Sequence, residues 1–315
     1  MKLKIFKFFS LDLLKLSKNT TVFVLLSLFV LQGCKEESSV NSFRIVFMTD
    51  IHVQPERKAE EGFRTAIAKV NELKPDIVIT GGDLIMDALG QDYERSTMLY
   101  ELYNEVSKEF NMPVYNTLGN HEVFGLYEDS GVSPDHPEYG KAMFKKRLGE
   151  NKTYHSFDHK NWHIILLDAI GFTEDRHYMG EIDSVQLEWL INNLKNVNAE
   201  TPILVSTHIP FVSVGEQMWR GGTTPLSSSE VIINSKEVLE VFKNYNLRLV
   251  LQGHLHIVEE IIFYDTHFIT GGAVCGRWWR GSRSGFKEGF VVIDIENEDF
   301  EWFYQTYGWE AVEEM

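Results

Sequence analysis

Cysteine is nearly absent from this sequence, with only Cys34 and Cys275 among 315 residues. If Cys34 is consumed by the modification described below, Cys275 is the only remaining thiol and no intramolecular disulfide can form. Stability therefore has to come from packing. The hydrophobic content of 43% and aromatic content of 13% suit one large globular domain or two small ones.

Basic residues are scarce relative to acidic ones, with 30 Lys and Arg against 46 Asp and Glu and a formal net charge of −16. Removing residues 1–33 would take away five lysines and one aspartate, which lowers the net charge to −20. Binding to a phosphate backbone needs basic patches. The charge therefore argues against a protein that binds long nucleic acids.

A long apolar run is also missing at the N-terminus. The run Val22–Leu31 has ten residues, whereas a helix that spans a membrane needs about 20. Five lysines precede this run, and Gln32-Gly33-Cys34 follows it. A basic segment, a short apolar segment and a small residue before the cleavage point are typical of a secretory signal. We predict that residues 1–33 are a signal peptide.

The segment Leu31-Gln32-Gly33-Cys34 resembles a bacterial lipobox, in which the cysteine becomes the acylated first residue. The alternative is an ordinary signal peptide followed by a coincidental cysteine. Lipid chains on Cys34 would hold the protein at a membrane surface without spanning it. Residues 34–42 are then a polar tether, and the expected location is the bacterial cell envelope, at the outer membrane or cell surface.

The first part of the remaining chain alternates between strand and helix patterns. Short apolar runs rich in β-branched residues predict strands, and apolar residues at helical spacing predict helices. The predicted strands are residues 43–48, 76–80 and 114–118, and the predicted helices are 59–73 and 93–110. Three successive strand–polar-tip–helix units indicate an α/β layered fold.

The rest of the chain continues with mixed elements and no internal repeat. Residues 125–139 carry Gly, Pro and acidic residues and predict a loop or flap. Further helices are expected at 140–149, 183–194 and 235–244. Further strands are expected at 154–158, 162–168, 202–206, 247–251, 261–264, 267–270, 290–295 and 300–304. We expect one domain over residues 43–315, in which residues 259–315 supply C-terminal strands and a substrate loop.

Polar side chains that can bind metals follow five of the predicted strands. They are Asp50-x-His52, Gly82-Asp83, Gly119-Asn120-His121-Glu122, His208 and Gly253-His254-x-His256. The carboxyl ends of strands in α/β folds meet in one crevice, where ligands bind. Oxygen and imidazole donors without thiolate suit Mn, Fe or Zn ions rather than Ca²⁺. Two metals about 3.5–4 Å apart need a bridging carboxylate, and Asp83 is the natural candidate.

The order and spacing of these five motifs resemble those of the calcineurin-like metallophosphoesterases, over roughly residues 43–258. The resemblance implies a four-layer α/β/β/α sandwich of two mixed sheets. It implies that one divalent ion is held by Asp50, His52, Asp83 and His256, and the other by Asp83, Asn120, His208 and His254. It also implies hydrolysis of a phosphate ester by metal-activated water, without a covalent enzyme intermediate.

His121 adjoins a metal ligand and is the predicted catalytic residue. In the family the matching histidine lies beside the scissile phosphate, where it stabilises charge or protonates the leaving oxygen. Some phosphatases of this family carry an Asp that pairs with this histidine at the position that Met86 occupies here. The sequence leaves Glu122 and Asp87 as candidate partners.

A second informative stretch is a local basic patch, Arg277-Trp278-Trp279-Arg280, in this acidic protein. Arginine suits phosphate oxygens, and tryptophan stacks on flat rings such as a base. We predict that these four residues bind substrate, with a solvated turn carrying core tryptophans as the alternative. Met218-Trp219-Arg220 is a similar but weaker candidate. Cys275 is expected to be a packed thiol.

The motifs favour an enzyme that hydrolyses a small phosphorylated substrate, and they do not separate a phosphodiester from a phosphomonoester. A nucleotide is among the candidates. The main alternative is a non-catalytic, metal-stabilised binding lipoprotein at the cell surface. A nuclease is a weaker third hypothesis, because the net charge opposes the binding of long nucleic acids. The sequence gives no indication of oligomeric state.

Overall fold

The computed structural model describes residues 41–311, so the predicted signal peptide and Cys34 lie outside the described residues. The strands are β1 (Ser42–Met48), β2 (Ile77–Thr80), β3 (Val114–Asn116), β4 (His155–His159), β5 (Trp162–Leu166), β6 (Ile170–Phe172), β7 (Tyr178–Gly180), β8 (Ile203–Ser206), β9 (Leu247–Gln252), β10 (Val258–Phe263), β11 (Thr266–Gly271), β12 (Gly289–Glu296) and β13 (Asp299–Thr306). The α-helices are α1 (Ala59–Leu73), α2 (Tyr93–Ser107), α3 (Ala142–Arg147), α4 (Ser184–Leu194), α5 (Gly215–Arg220) and α6 (Ser235–Val241). None of the helices in this part of the chain has the length and apolar character that crossing a membrane requires.

The two longest helices begin and end where local chemistry favours it. In α1 the residues Phe63, Ile67 and Val70 recur at helical spacing and are buried on one face. This helix ends at Lys74, which takes a left-handed conformation just before Pro75. At the start of α2, the Asp92 carboxylate accepts a hydrogen bond from the Arg95 backbone N–H and caps the helix.

Eleven of the strands in residues 41–311 form two larger sheets. The first has the order β13-β12-β1-β2-β3, and the second has the order β10-β11-β9-β8-β5-β4. Strands β1, β2 and β3 run parallel, as do β5, β8, β9 and β11. The antiparallel pairs are β1–β12, β12–β13, β10–β11 and β4–β5. Both sheets are therefore mixed. The parallel strands of each sheet deliver their carboxyl ends to one edge, where the polar motifs lie.

The core is divided by the first sheet, because alternate side chains of β1 point to opposite faces. Phe43, Ile45 and Phe47 pack in a cluster with buried side chains of the second sheet. Val46 and Met48 belong to the cluster that contains the apolar faces of α1 and α2. Helices, two sheets and more helices thus form successive layers, which confirms the predicted α/β sandwich of two mixed sheets. Burying each large apolar side chain contributes about 1.5–3 kcal/mol.

The elements differ from the predictions mainly at helix ends and in short segments. The last residues of the expected helix 93–110 form tighter turns, in which the N–H of Glu109 and Phe110 bond to carbonyls three residues earlier. The small hairpin β6–β7 and the helix α5 were not predicted. With three residues in each strand and six in the helix, they are too short to show a periodic pattern.

Candidate metal centre

Two groups of side chains converge at the carboxyl ends of the parallel strands. In the first group, Nε2 of His52 lies 3.2 Å from Nε2 of His256. The same His256 atom is 3.0 Å from Oδ1 of Asp50. Nε2 of His52 is also 3.6 Å from Oδ2 of Asp83. This group contains the four residues predicted to share one metal.

The second group surrounds Nε2 of His208. This atom lies 3.1 Å from Oδ2 of Asp83, 3.1 Å from Oδ1 of Asn120 and 3.2 Å from Nδ1 of His254. These are the four residues predicted to share the other metal. One oxygen, Oδ2 of Asp83, faces both groups, so the structure brings all seven predicted ligands together around a shared carboxylate.

The backbone at the predicted ligands is held in an uncommon conformation. Positive φ angles of 47° to 71° occur at five of the seven: Asp50, His52, Asp83, His254 and His256. Left-handed backbone at residues other than glycine costs free energy and persists only where the surroundings enforce it. These left-handed residues lie in the segments that follow β1, β2 and β9.

Two glycines allow the loops to approach each other at this point. A Cβ atom on Gly119 would lie 2.2 Å from the backbone nitrogen of Asp83, and one on Gly253 would lie 2.0 Å from Oγ1 of Thr49. Neither position can hold a side chain without moving the ligand-bearing loops. The glycines of the Gly-Asn-His-Glu and Gly-His-x-His motifs are therefore required by close packing.

The two carboxylates at the centre, those of Asp50 and Asp83, each accept hydrogen bonds from the surrounding loops through one oxygen only. Oδ2 of Asp50 accepts hydrogen bonds from the Thr49 hydroxyl and the His254 backbone N–H. Oδ1 of Asp83 accepts one from the backbone N–H of His121 at 2.9 Å. The opposite oxygen of each carboxylate faces the imidazoles, and Oδ1 of Asp50 is buried without a hydrogen bond. Free, convergent carboxylate oxygens of this kind fit a divalent cation.

The imidazoles present lone pairs to the same space. Nδ1 of His208 donates to the Gly81 carbonyl oxygen at 2.8 Å, and Nδ1 of His256 donates to the Gly276 carbonyl oxygen at 2.5 Å. Each histidine therefore directs Nε2 into the centre, with its tautomer fixed by a backbone carbonyl, as is usual for metal ligands. The donor set of imidazole, carboxylate and amide oxygen fits two divalent cations.

The pKa values of the clustered histidines are shifted in opposite directions. Burial, with the neighbouring His121, lowers the pKa of His52 well below its ordinary value, and burial with His208 lowers the pKa of His254 to about 4. Although burial opposes it, Asp83 raises the pKa of His208 to about 9. An imidazole binds a metal in its neutral form, so a cation at this centre would compete with the proton of His208.

His121 lies at the rim of the centre, with 20% of its side chain exposed. Its Nδ1 hydrogen-bonds the Met86 carbonyl oxygen and is 3.8 Å from Oδ1 of Asp87. Nε2 of His121 lies 3.8 Å from Oδ2 of Asp83. Of the two candidate partners, Asp87 is therefore the carboxylate near the His121 ring.

Glu122 has a different position, which the sequence did not indicate. Its carboxylate is fully buried and accepts four backbone N–H bonds. The donors are Asp83 at 3.0 Å, Leu84 at 2.7 Å, Ile85 at 3.2 Å and Gly119 at 2.8 Å. Burial and the nearby Asp83 raise the pKa of Glu122 to about 7, whereas the backbone bonds oppose that shift. Glu122 thus ties the Asp83 loop to the Gly119-Asn120 loop.

The loop after β11 lies beside the metal centre, and its side chains differ in how exposed they are. The Trp278 ring is half-buried and lies 5.0 Å from the His256 ring, with the Arg283 guanidinium 4.8 Å from its centroid. Trp278 is therefore placed where a substrate can reach it. Arg277 and Arg280 are exposed on the same loop. Cys275 is buried, as expected of a packed thiol.

Trp279, predicted as a substrate contact, is instead a core side chain. It is fully buried, and its indole N–H donates to the His52 carbonyl oxygen at 3.0 Å. Its ring covers Gly62, where an added Cβ would lie 2.2 Å from a ring carbon. No substrate can reach this ring, so the prediction for Trp279 is corrected. Its contact with His52 supports the metal centre from behind.

We expect Trp279→Ala to lower the free energy of unfolding by about 3–5 kcal/mol, because it leaves a large cavity between the loop and α1. Trp278→Ala, at the neighbouring half-exposed position, is the matched control and is expected to cost less than about 1 kcal/mol. Denaturant unfolding of both variants measures the difference. Equal losses in the two variants would contradict the assignment of Trp279 to the core.

One residue that borders the centre, Tyr178, was not predicted from the sequence. Tyr178, in the unpredicted hairpin β6–β7, places its ring 5.9 Å from the His254 ring. The weaker candidate stretch forms α5, where Met218 and Trp219 are exposed. No local signal marks Tyr178, because its neighbour His254 lies far away in the sequence.

Comparisons with known proteins agree with this geometry. A family model described as calcineurin-like phosphoesterase matches residues 43–258. The chain is 22% identical over 268 residues to a probable cyclic nucleotide phosphodiesterase of Xenorhabdus bovienii, covering 80% of this chain and 95% of that protein. It is 24% identical over 228 residues to a 3′,5′-cyclic adenosine monophosphate phosphodiesterase of Haemophilus influenzae, covering 68% of this chain and 69% of that protein.

Among solved structures, the chain resembles a dimetal phosphatase from Danio rerio with a TM-score of 0.58 and 14% sequence identity. The match covers 84% of this chain and 99% of that one. A purple acid phosphatase from yellow lupin seeds gives a TM-score of 0.53 at 16% identity, covering 84% of this chain and 52% of that one. At these identities the likeness concerns the fold.

Proposed function

Because this chain belongs to the calcineurin-like phosphoesterase family, whose members hydrolyse phosphoester bonds at a dinuclear divalent metal centre, we propose that it is a phosphodiesterase for small, soluble diesters. A nucleotide diester is the first candidate. The observation that carries the proposal is Oδ2 of Asp83, which faces both groups of ligands. The names of the relatives from Xenorhabdus and Haemophilus favour the diester. The alternative of a non-catalytic binding lipoprotein has no support among the relatives.

The proposed ligands are those that the geometry groups together. Asp50, His52 and His256 would hold one ion with Asp83, and the remaining three predicted ligands would hold the other with the same carboxylate. When bound, two such cations, of Mn, Fe or Zn, supply positive charge to the phosphoryl oxygens and lower the pKa of a water molecule. Asn120 contributes a neutral amide oxygen, which limits the negative charge that an anionic substrate meets.

His121 is proposed to act on the leaving group. Its Nδ1 is held by the Met86 carbonyl oxygen, and its backbone N–H is held by Asp83. The ring is thereby fixed with Nε2 towards the centre and part of its surface open to solvent. From this position it can donate a proton to the leaving oxygen of an ester. Trp278 is proposed to contact the organic part of the substrate, and Arg277 and Arg280 its charged groups.

The first experiment uses residues 35–315, freed of metal and reloaded with Mn²⁺. We expect bis(nitrophenyl) phosphate to be turned over faster than nitrophenyl phosphate, and a cyclic nucleotide to be hydrolysed. Faster turnover of the monoester would replace the diester proposal with a phosphomonoesterase. No turnover of any ester, with two metals bound per chain, would overturn the proposed enzyme activity.

The same preparation tests His121. We expect His121→Ala to lower kcat by about 10²–10⁴-fold, the usual contribution of a general acid, while the metal content stays at two. His267→Ala is the control, because His267 is half-buried, pairs with Glu260 and belongs to neither ligand group. If His121→Ala kept full turnover, or lost metal in proportion to activity, the catalytic role would be withdrawn.

We also propose that Cys34 is lipid-modified and anchors the protein to the bacterial cell envelope. The proposal rests on the sequence Leu31-Gln32-Gly33-Cys34 and the short polar segment that follows it. How such an anchor would orient the described part of the protein at a membrane depends on where the chain enters the fold.

A further inference from the structure

The described chain begins at the end of the fold opposite the metal centre. Asn41 and Asn297 exchange two hydrogen bonds, from the Asn41 N–H to Oδ1 of Asn297 and from the Asn297 N–H to the Asn41 carbonyl oxygen. From this point β1 runs through the first sheet to Asp50, a metal-ligand candidate. The segment that would lead to a lipid on Cys34 therefore leaves from the end away from the catalytic crevice.

The second sheet presents the β10–β11 turn at this same end. The guanidinium of Arg248, at the start of β9, lies 3.7 Å from Oδ1 of Asp299. Asp299 directly follows the β12–β13 turn, whose Asn297 is hydrogen-bonded to Asn41. The hydroxyl of Thr266 in β11 donates to the Leu247 carbonyl oxygen at 2.8 Å. The tip of the β10–β11 hairpin and the entry point at Asn41 are thus on one end of the molecule.

This hairpin tip carries an unusual apolar surface. Ile262, Phe263 and Tyr264 are 57%, 63% and 86% exposed. They are the only three consecutive large hydrophobic residues with exposed side chains within residues 41–311. An aromatic tip in water contributes little to the stability of the fold, because apolar surface stabilises only when it is covered. Its exposure points to an interaction outside the described residues.

A groove of about 830 Å³ separates this tip from α6. It is lined by Lys236 and Lys243, by the rings of Tyr245, Phe263 and Tyr264, and also by Glu240 and Asp265. Lys243 pairs with Glu240 at 2.7 Å. Aromatic rings with an apolar body and a polar edge, flanked by lysine side chains, are typical of surfaces that rest in the headgroup layer of a membrane. We call residues 262–265, together with Lys236 of α6 and Lys243 just after it, the apical tip.

We propose that the apical tip rests on the phospholipid bilayer that holds the lipid on Cys34, so that the metal centre faces away from that bilayer. The inference depends on the proposed lipid modification. Asn41 lies seven positions after Cys34, and seven steps of 3.3–3.6 Å span at most about 25 Å. The tether thus keeps the apical tip near the membrane, and the strands hold the crevice roughly 20 Å further out.

This orientation deepens the proposed function, because it decides which esters reach the centre. Headgroups of the supporting bilayer lie beyond reach of the crevice, whereas soluble esters approach from the open side. The substrate class is therefore a water-soluble phosphate ester, not a phospholipid of the membrane that carries the enzyme.

The test uses the full chain in its lipid-modified form, reconstituted into vesicles of phosphatidylethanolamine and phosphatidylcholine. A nitrobenzoxadiazole label is attached to Asp265→Cys, beside the intact Phe263 and Tyr264. Cys275 is buried and the sulfur of a lipid-modified Cys34 is alkylated, so labelling is selective. The control label is placed at Ser282→Cys, an exposed position in the loop at the metal end.

We expect brominated phosphatidylcholine to quench the label at position 265 about threefold more strongly than the label at 282, as for a tip inserted to a depth of about 5–10 Å. The double variant Phe263→Ser with Tyr264→Ser should abolish this difference and leave the turnover of soluble esters unchanged. Hydrolysis of a phospholipid in the same vesicles should stay at background.

Four results would overturn the proposal. Equal weak quenching at both positions would show a freely tumbling domain, and stronger quenching at 282 would show a crevice that faces the membrane. A blue shift at 265 that depends on protein concentration without vesicles would show that a second copy covers the tip. If the chain is absent from the vesicle fraction while ester turnover is intact, the lipid modification is rejected. Loss of turnover in a chain that is anchored normally would instead reject the proposed enzyme activity and leave the orientation untouched.

Discussion

Asp83→Asn is expected to reduce kcat/KM on the order of a thousandfold, or about 4 kcal/mol of transition-state stabilisation. It is also expected to lower the metal content from two ions to one or none per chain. Oδ2 of Asp83 is 3.1 Å from Nε2 of His208 and 3.6 Å from Nε2 of His52. A neutral amide keeps the shape of the side chain but removes the negative charge that both ligand groups share.

The fold should tolerate this change, because Oδ1 of Asn can still accept the bond that the His121 N–H now donates to Asp83. Elemental analysis and the far-UV spectrum therefore separate a lost metal from a lost fold. Asp158→Asn is the control: Asp158 also pairs with a histidine, His163, but lies away from the centre and is largely exposed. Two firmly bound metals and wild-type turnover in Asp83→Asn would remove the shared carboxylate from the mechanism.

The side chains that meet at the centre were predictable from sequence because each lies within a few residues of the end of a strand. Once parallel strands are recognised, their polar tips must meet at one edge of the sheet. The positions of Asp50, Asp83 and His254 then follow from the strands without knowledge of their neighbours. The helix Ala59–Leu73 was predicted with the observed ends for a similar reason, since apolar spacing and the following Pro75 are local signals.

The local sequence does not reveal which of the two tryptophans in the loop after β11 is buried. Trp278 and Trp279 are adjacent, both have positive φ angles, and one is half-exposed while the other is fully buried. Which ring enters the core is decided by Gly62, more than two hundred residues earlier, whose missing side chain leaves room for Trp279. Such tertiary contacts leave no trace in the pattern of the loop itself.

Glu122 is a second case, and it leads to a prediction with a large expected effect on stability. Its position after His121 suggested a partner for that ring, but the carboxylate instead accepts four backbone N–H bonds from the Asp83 and Gly119 loops. Glu122→Ala would leave four buried donors without an acceptor. Each unsatisfied buried donor costs about 1–3 kcal/mol, and because neighbouring losses are not additive we expect about 4 kcal/mol in total.

Denaturant unfolding of the metal-free protein measures this loss, and titration with Mn²⁺ measures its consequence. The Asp83 loop is expected to move once its N–H groups turn towards water, so metal affinity should fall by about 10–100-fold, as for other residues that orient metal ligands. Glu122→Gln should be intermediate, because its amide oxygen can accept two of the four bonds while its NH₂ group opposes the others.

Glu138→Ala is the matched control, since Glu138 is also a buried glutamate but accepts its hydrogen bonds from side chains. Its partners are Lys146, Arg147 and Tyr93, and the mostly exposed Lys146 can turn to water when the carboxylate is removed. We expect a smaller loss of stability and an unchanged metal affinity. If both alanine variants lost equal stability and both kept wild-type metal affinity, Glu122 would be an ordinary buried carboxylate. If only Glu122→Ala weakened metal binding, the four backbone bonds would be what holds the shared carboxylate in place.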